Sequence, residues 1–221
     1  MSLARRFELL RHAAHSKAWI IEDDYFSEYR YGGNPVASLQ SLDSHDRVIY
    51  VGNFSKTVVP FLRIGFVVAP PAVAAALKRV RVATSRQPPG VDQAALAEFI
   101  ADGHLQRHIR VTVRLYRQRQ EALVQAIRRE APRLLDTSPR GTGMYLVAWL
   151  PQGIDDRLAV AAAAARNVDS VALSTFSRRR LPRGALVLGY SGYDIDEIRR
   201  AVKQLRAALI SLVETTGRRQ R

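Results

Sequence analysis

Hydrophobic positions in the first half of the chain alternate between helical and strand-like spacing. Leu3, Phe7, Leu10 and Ala14 recur at the spacing of one helix face and predict a helix over residues 2–16. Short apolar runs bounded by turn-forming residues predict three strands, at 19–22, 48–51 and 62–68. Two further helical patterns predict helices at 72–82 and 92–101. Helices alternating with strands predict an α/β fold for this part.

The second half opens with one long helical pattern over His104–Glu130, which ends at Ala131-Pro132 because proline cannot continue a helix. The remaining patterns predict strands and helices in mixed order. The strands are 144–150, 168–173 and 185–190, and the helices are 155–166 and 194–214. This late part is therefore expected to be an α+β layer, and no internal repeat is present in the chain.

Composition indicates a folded protein of the cell interior. The chain has 221 residues, 47% of them hydrophobic, which is enough to build a core. No apolar run reaches the ~18 residues of a membrane span. The absence of cysteine excludes disulfides, thiolate metal sites and a thiol nucleophile, and the five histidines are scattered. We expect a cytoplasmic protein with no membrane partner and no metal site.

The net charge of +14 favours contact with nucleic acid or an anionic surface. Much of the excess, however, lies on the arginines of the long helix, where a solvated face explains it equally well. The chain carries no helix-turn-helix, zinc-finger or RNA-binding signature. We therefore do not expect this chain itself to bind DNA.

Candidate chemistry begins with Lys56, which follows a predicted strand end and a short polar turn. Ser55 precedes it, and Arg63 follows seven residues later. Lysine condenses with carbonyls, and a hydroxyl and a guanidinium suit a phosphate, so the group fits an aldehyde cofactor that carries a phosphate. Pyridoxal phosphate has both features. The alternative for this segment alone is an exposed lysine in a turn.

A second candidate lies upstream, where the strand predicted at 19–22 runs into two carboxylates and a phenol. Pyridoxal chemistry needs an anion beside the ring nitrogen, and a phenol that hydrogen-bonds the ring 3-oxygen assists it. Asp23 and Tyr25 would project to the same face if the extended geometry continues. The alternative is a surface acidic turn that closes the strand. The order of Asp23, Tyr25, Lys56 and Arg63 favours the cofactor site.

These segments resemble a known family. The blocks EDDYFSEYRY at 22–31 and DRVIYVGNFSK at 46–56 are similar to the aminotransferase-like domain of MocR/GabR-type regulators of the GntR superfamily, within the fold-type I, class I/II aminotransferases. The similarity continues through 88–96, 103–110 and 186–190. It implies that 1–103 is the second half of a pyridoxal phosphate-binding large domain. Residues 104–221 then form a linking helix and an α+β carboxy-terminal small domain.

The resemblance also implies residue roles. Lys56 would be the internal aldimine lysine, Asp23 the pyridinium partner, Tyr25 the 3-oxygen partner and Arg63 a phosphate ligand. Relatives usually carry Ser or Thr at the position of Asn53, whose amide can still donate to phosphate beside Ser55.

Two departures from the family pattern concern the substrate and the length. Val187 stands where many related aminotransferases hold the substrate α-carboxylate with arginine. Four nearby arginines are candidate substitutes: Arg178, Arg179, Arg180 and Arg183. The family's glycine-rich phosphate turn, its ring-stacking aromatic and its winged helix-turn-helix domain would precede residue 1, so we expect a carboxy-terminal fragment.

Two functions remain open. The first is the sensing and dimerising part of a MocR/GabR-type transcription factor, in which Lys56 reports an amino compound or pyridoxal phosphate itself. The second is a pyridoxal phosphate-dependent aminotransferase that exchanges amino groups between amino acids and 2-oxo acids. In either case we expect a homodimer, with DNA bound only through an amino-terminal domain.

Overall fold

The computed structural model describes residues 1–25, 27–32, 37–85 and 89–219, with side chains through residue 214. Phe26 and Pro88 of the motif blocks lie outside the described residues. The chain divides into two compact units, a first unit of Met1–Val111 and a second unit of Thr112–Arg221. The division falls inside the long helix, eight residues after the boundary expected at 103.

The described residues of the first unit form a three-stranded sheet and five α-helical segments. Its elements in chain order are α1 Leu3–Ser16, β1 Ile20–Asp23, α2 Leu39–Leu42, β2 Val48–Asn53, β3 Gly65–Val68, α3 Pro71–Thr84, α4 Gly90–Ala101 and the start of α5 His104–Glu130. The strand order is β1-β2-β3. β1 runs parallel to β2, with Asp23 beside Val51, whereas β3 runs antiparallel to β2. The carboxyl ends of β1 and β2 therefore lie together at one edge of the sheet.

Helix α1 shows how local sequence sets an element and tertiary packing selects its buried face. The Ser2 side chain accepts the N–H of Arg5 at 3.3 Å and caps the amino terminus. The helix ends at Lys17, whose backbone is left-handed. Leu10 is buried as its spacing predicts, and it packs with Leu39 and Val48 in a small core. Phe7, on the same predicted face, stays exposed.

The second unit is an antiparallel sheet packed with helices. Its elements after α5 are β4 Tyr145–Trp149, α6 Asp156–Ala164, β5 Val171–Ala172, β6 Ala185–Gly189 and α7 Ile195–Arg219. The strand order is β4-β6-β5, and both pairings are antiparallel. Helix α6 packs against α7, β5 and β6. The middle strand β6 is the centre of the core, since Ala185 and Leu186 have no exposed surface.

The predicted helices are confirmed to within about five residues at each end, but two strands are each shorter than predicted by three residues or more. The strand expected at 62–68 begins only at Gly65, because Leu62 ends a 3₁₀ turn and Arg63 is left-handed. The strand expected at 168–173 is reduced to Val171–Ala172, because Leu173 opens a second 3₁₀ turn. The sequence analysis did not predict the single-turn helix α2.

Candidate functional site

The turn that carries Lys56 is built directly on the end of β2. The strand continues to Asn53, and the N–H of Val58 then donates to the carbonyl of Phe54 at 2.8 Å, which closes one helical turn around Lys56. The hydroxyl of the buried Tyr29 donates to the Lys56 carbonyl at 2.7 Å. Tyr29 belongs to the motif block at 22–31 and Lys56 to the block at 46–56. This hydrogen bond therefore holds the lysine backbone and joins the two motif blocks.

Arg63 comes close to this turn because β3 returns beside β2. Gly65 pairs with Asn53, and the N–H of Phe54 donates to the carbonyl of Ile64 at 3.0 Å. The Arg63 backbone has φ 50° and ψ 26°, the left-handed region that arginine seldom adopts and that costs about 1–2 kcal/mol. Strain of this kind persists where the surroundings impose it, often at binding sites.

These elements form one open cavity of about 390 Å³ at the sheet edge. Five of the predicted site residues line it: Tyr25, Asn53, Ser55, Lys56 and Arg63. The Lys56 Nζ lies 5.3 Å from the centre of the Tyr25 ring. The Asn53 Oδ1 accepts the N–H of Ser55 at 3.1 Å, which leaves the donor side of the amide for an anion. Asp23 is the one predicted residue outside this lining.

The two adjacent carboxylates of the acidic block have different surroundings. Asp24 accepts the Tyr50 hydroxyl at 2.6 Å through Oδ2 and the N–H of Ser27 at 3.1 Å through Oδ1. Burial, and then this hydrogen bond to ionised Asp24, raise the pKa of Tyr50, so Tyr50 stays a donor. Asp23 ends β1 and is exposed, and its carboxylate accepts no hydrogen bond from the described residues. Asp23 is therefore the carboxylate that remains available to a ligand.

The extended geometry that would carry Asp23 and Tyr25 to one face does not continue. Strand β1 ends at Asp23, and Tyr25 lies in a bend. The cause is the Asp24 carboxylate, which accepts the Ser27 N–H and turns the chain. Tyr25 still lines the cavity, but through this bend and not through strand alternation.

Sequence reasoning missed three residues that support the site. Glu22 accepts the N–H groups of Leu39 and Gln40 at 2.9 and 3.0 Å and pairs with Arg6 at 3.3 Å. Tyr29 and Tyr50 hold the two motif turns, as described above. All three lie inside or beside the quoted motif blocks, yet no spacing rule separates such supporting residues from those that contact a ligand.

The late strand and the arginines before it belong to the second unit. Val187 lies in the middle of β6, paired with Val147 on one side and Val171 on the other. Arg183 donates to the carbonyls of Leu150 and Trp149. Within the described residues, no group of three His, Cys, Asp or Glu side chains could hold a metal. Among the described helices, none combines the length and the apolar composition that a membrane span needs.

Comparisons with known proteins agree with this geometry. The family model for aminotransferase class I and II matches residues 2–205. The probable rhizopine catabolism regulatory protein MocR of Rhizobium meliloti is 40% identical over 98% of this chain and 44% of its own length. Aromatic-amino-acid aminotransferase 1 of Thermococcus litoralis is 31% identical over 93% of this chain and 49% of its own length.

A solved structure confirms the predicted fold. The α-aminoadipate aminotransferase LysN of Thermus thermophilus, complexed with N-(5'-phosphopyridoxyl)-L-leucine, superposes with a TM-score of 0.86 and 27% identity over 97% of this chain and 56% of that chain. The chain therefore spans about half the length of the relatives it matches. The predicted resemblance to MocR-type regulators and to the aminotransferase fold is confirmed.

Proposed function

Because the chain belongs to the aminotransferase class I and II family, we propose that it is the pyridoxal phosphate-binding domain of a MocR/GabR-type transcriptional regulator. The observation that carries the proposal is the convergence of Lys56, Arg63, Ser55 and Asn53 on one cavity at the carboxyl ends of parallel strands. Ligands of α/β sheets bind at this edge.

The donor set fits the cofactor. When bound, pyridoxal phosphate supplies an aldehyde that an amine can capture and a ring that withdraws electrons. Lys56 is the amine, held by its backbone contact with Tyr29. Arg63, Ser55 and the Asn53 amide supply hydrogen-bond donors for the phosphate. Asp23 would be the acceptor for the ring N–H, and the Tyr25 hydroxyl would be the partner of the ring oxygen.

Regulation is favoured over enzymatic turnover by one residue and one comparison. Val187 places an uncharged side chain in the middle of β6, where the resemblance leads us to expect an arginine for a substrate carboxylate. The MocR relative is also more similar than the aminotransferase relative, at 40% against 31% identity. In this proposal the effector is an amino compound or the cofactor itself, and DNA is bound by an amino-terminal domain of the whole protein.

The direct test replaces Lys56 in the purified protein. Borohydride reduction in the presence of pyridoxal phosphate should fix one cofactor per chain on Lys56, located by peptide mass spectrometry. Lys56→Ala should abolish this adduct and the accompanying visible absorbance. Lys78→Ala, which removes an exposed lysine of α3, is the matched control and should leave both unchanged. An adduct that persists on another lysine in Lys56→Ala contradicts the assignment.

The neighbouring carboxylates allow a second test within the same turn. Asp23→Asn should weaken cofactor binding at least about tenfold while the melting temperature stays near that of the parent, because Asp23 is exposed and unpaired. Asp24→Asn should instead lower the melting temperature, since Tyr50 and Ser27 lose a charged acceptor. If Asp24→Asn loses the cofactor and Asp23→Asn retains it, Asp24 and not Asp23 is the partner of the ring nitrogen.

The alternative function, a pyridoxal phosphate-dependent aminotransferase, is separated from regulation by a half-reaction. A regulator should bind the amino compound without releasing a 2-oxo acid, whereas an enzyme converts the bound cofactor to its amine form. We also propose that the protein is a homodimer, as the resemblance to fold-type I aminotransferases implies. Sedimentation that finds a monomer retaining the cofactor contradicts the homodimer.

A further inference from the structure

A second cavity, of about 800 Å³, lies in the second unit between segments 153–157 and 174–184. We call it the arginine cleft, after the five arginines that line it: Arg157, Arg178, Arg179, Arg180 and Arg183. The proposed cofactor site uses none of these residues. A cavity of this size is in the range of ligand sites for small molecules.

The two walls of the arginine cleft are fastened to each other. Asp156 is buried and accepts the Ser174 hydroxyl at 2.7 Å, the Ser174 N–H at 2.9 Å and the Ala185 N–H at 3.4 Å. Gly184 lies so near the opposite wall that an added Cβ would stand 2.8 Å from the carbonyl oxygen of Ile154. The cleft is thus formed in advance and not by a loose loop.

The rim of the cleft is also ordered by its own hydrogen bonds. The Ser177 hydroxyl donates to the carbonyl of Arg179 at 2.7 Å and accepts the N–H of the same residue at 3.2 Å. Arg183 is anchored at the carbonyls of Leu150 and Trp149. These hydrogen bonds fix the backbone on which Arg178, Arg179 and Arg180 lie. Less conformational freedom is therefore lost when an anion binds.

The charge of the cleft is not compensated internally. Its two carboxylates are Asp155 and Asp156, and Asp155 accepts the N–H groups of Arg157 and Leu158 as the cap of α6. Five arginines against two aspartates leave a net formal charge of +3. Among the described residues, only Arg183 of the five pairs with a carboxylate, that of Asp136 at 3.4 Å.

We propose that the arginine cleft binds an oligophosphate, a linear anion with two or more linked phosphate groups. Guanidinium groups match phosphate oxygens in pairs, and several in one cleft match several phosphates in a row. One carboxylate or one orthophosphate would engage only part of the arginine set. The proposal goes beyond the proposed function, because it involves neither Lys56 nor the cofactor.

The test is calorimetric titration of the purified protein with tripolyphosphate and with orthophosphate at the same ionic strength. Tripolyphosphate should bind at least about tenfold more tightly, because it gains additional charge-assisted hydrogen bonds. Arg178→Gln/Arg179→Gln/Arg180→Gln should weaken it by about tenfold or more. Arg107→Gln/Arg110→Gln/Arg114→Gln removes equal charge from the exposed face of α5 and should change it less than about twofold.

Further arms separate the sources of the anion. A nucleoside triphosphate should compete with tripolyphosphate, and covalent fixation of pyridoxal phosphate at the proposed cofactor site by borohydride should leave the tripolyphosphate affinity unchanged, which keeps that site out of the result. The proposal is overturned if both triple variants lose tripolyphosphate affinity equally, or if the unaltered protein binds tripolyphosphate and orthophosphate with equal affinity. A short DNA duplex that binds through the same three arginines when tripolyphosphate does not would also overturn it, in favour of a nucleic-acid surface. The comparison of the two anions on the unaltered protein decides even where a variant fails to fold.

Discussion

The first and second units bury their apolar side chains to different extents. The second unit has a continuous core in which Leu146, Leu186 and Leu205 have almost no exposed surface. The first unit buries few apolar side chains, and all four residues of its edge strand β3 are exposed. Val67 of that strand is 48% exposed, whereas Leu186 of β6 is 0% exposed.

Polar contacts take a larger part in holding the first unit together. Glu22 joins β1 to α1 and α2, and Asp43 accepts the N–H groups of His45, Arg47 and Val48. Tyr29 and Tyr50 tie down the two site turns. The comparison teaches that the unit with the proposed cofactor site is organised by hydrogen bonds, while the second unit is organised by apolar packing.

The largest expected effect is in the second unit. Leu186→Ala should lower the free energy of unfolding by about 2–5 kcal/mol, because it leaves a cavity in a closed core. Val67→Ala, the matched change on β3, should cost less than about 1 kcal/mol. Hydrogen exchange of peptides from each unit measures the two effects separately. If Leu186→Ala and Val67→Ala lower the free energy of unfolding equally, the two units do not differ in apolar packing.

The next effect belongs to the first unit. Glu22→Gln should cost about 2–3 kcal/mol, because Arg6 and two N–H groups of α2 lose a charged acceptor in a partly buried place. Glu8→Gln is the control, since its pair with Arg5 is exposed and contributes about 0–1 kcal/mol. Thermal melting gives the ranking. If the two variants melt alike, Glu22 does not organise the unit.

A smaller effect, with a pH signature, is expected at Asp156. Burial disfavours its charge, but hydrogen bonds from Ser174 and Ala185 outweigh this and lower its pKa below 3.8. The carboxylate therefore stabilises the fold above about pH 4, and this contribution is lost as the pH falls through the lowered pKa. Asp156→Asn should cost about 1–2 kcal/mol at neutral pH and less in acid.

The control for this pH dependence is Asp169→Asn, which changes an exposed aspartate of the same unit. The cost of this substitution, relative to the unaltered protein at the same pH, should stay within about 0.5 kcal/mol of zero from pH 3 to pH 7. Chemical denaturation across this pH range compares the two variants. A cost for Asp156→Asn that does not shrink in acid would show that its carboxylate does not act through charge.

The smallest expected effect is at Arg63, and its sign is opposite. Arg63→Gly relieves the left-handed backbone and should raise the free energy of unfolding by up to about 1 kcal/mol. Cofactor affinity should fall at the same time, because the variant lacks the proposed phosphate donor. Arg63→Lys keeps the strain and one charge, and should change stability little. If Arg63→Gly instead lowers the free energy of unfolding, the Arg63 side chain, and not the surrounding site, holds the backbone in the left-handed conformation.

The element pattern was predictable wherever one local signal dominated. Helix α5 follows from its long periodic pattern and the proline at 132, and the capping side chain of Ser2 opens α1. The strand expected at 62–68 was predicted too long, because Arg63 turns the chain. No residue type in this segment indicates the left-handed backbone of Arg63. The single-turn helix α2 escaped prediction because its stabilising partner, Glu22, lies 17 and 18 residues away.

The residues of the candidate site were named from the sequence, and their roles stay predictions. The two motif blocks named Asp23, Tyr25, Asn53, Ser55 and Lys56, and the segment after the second block named Arg63. The structure brings five of these six residues to one cavity. The difference between Asp23 and Asp24 was not predictable from spacing, because it depends on a hydroxyl from Tyr50 on the neighbouring strand. The same limit applies to Tyr29, which acts on Lys56 across 27 residues.

The sequence by itself determined the long helices, the approximate places of the strands, the family and the chemical groups of the candidate site, because these depend on residue type and on neighbours within a few positions. Only the tertiary structure decided which carboxylate stays available, how Arg63 returns to Lys56, and that five arginines line one cleft. The physical reason is that strand pairing and loop closure bring distant residues together. Hydrogen-bond partners and local charge then follow from that proximity and not from the order of residues.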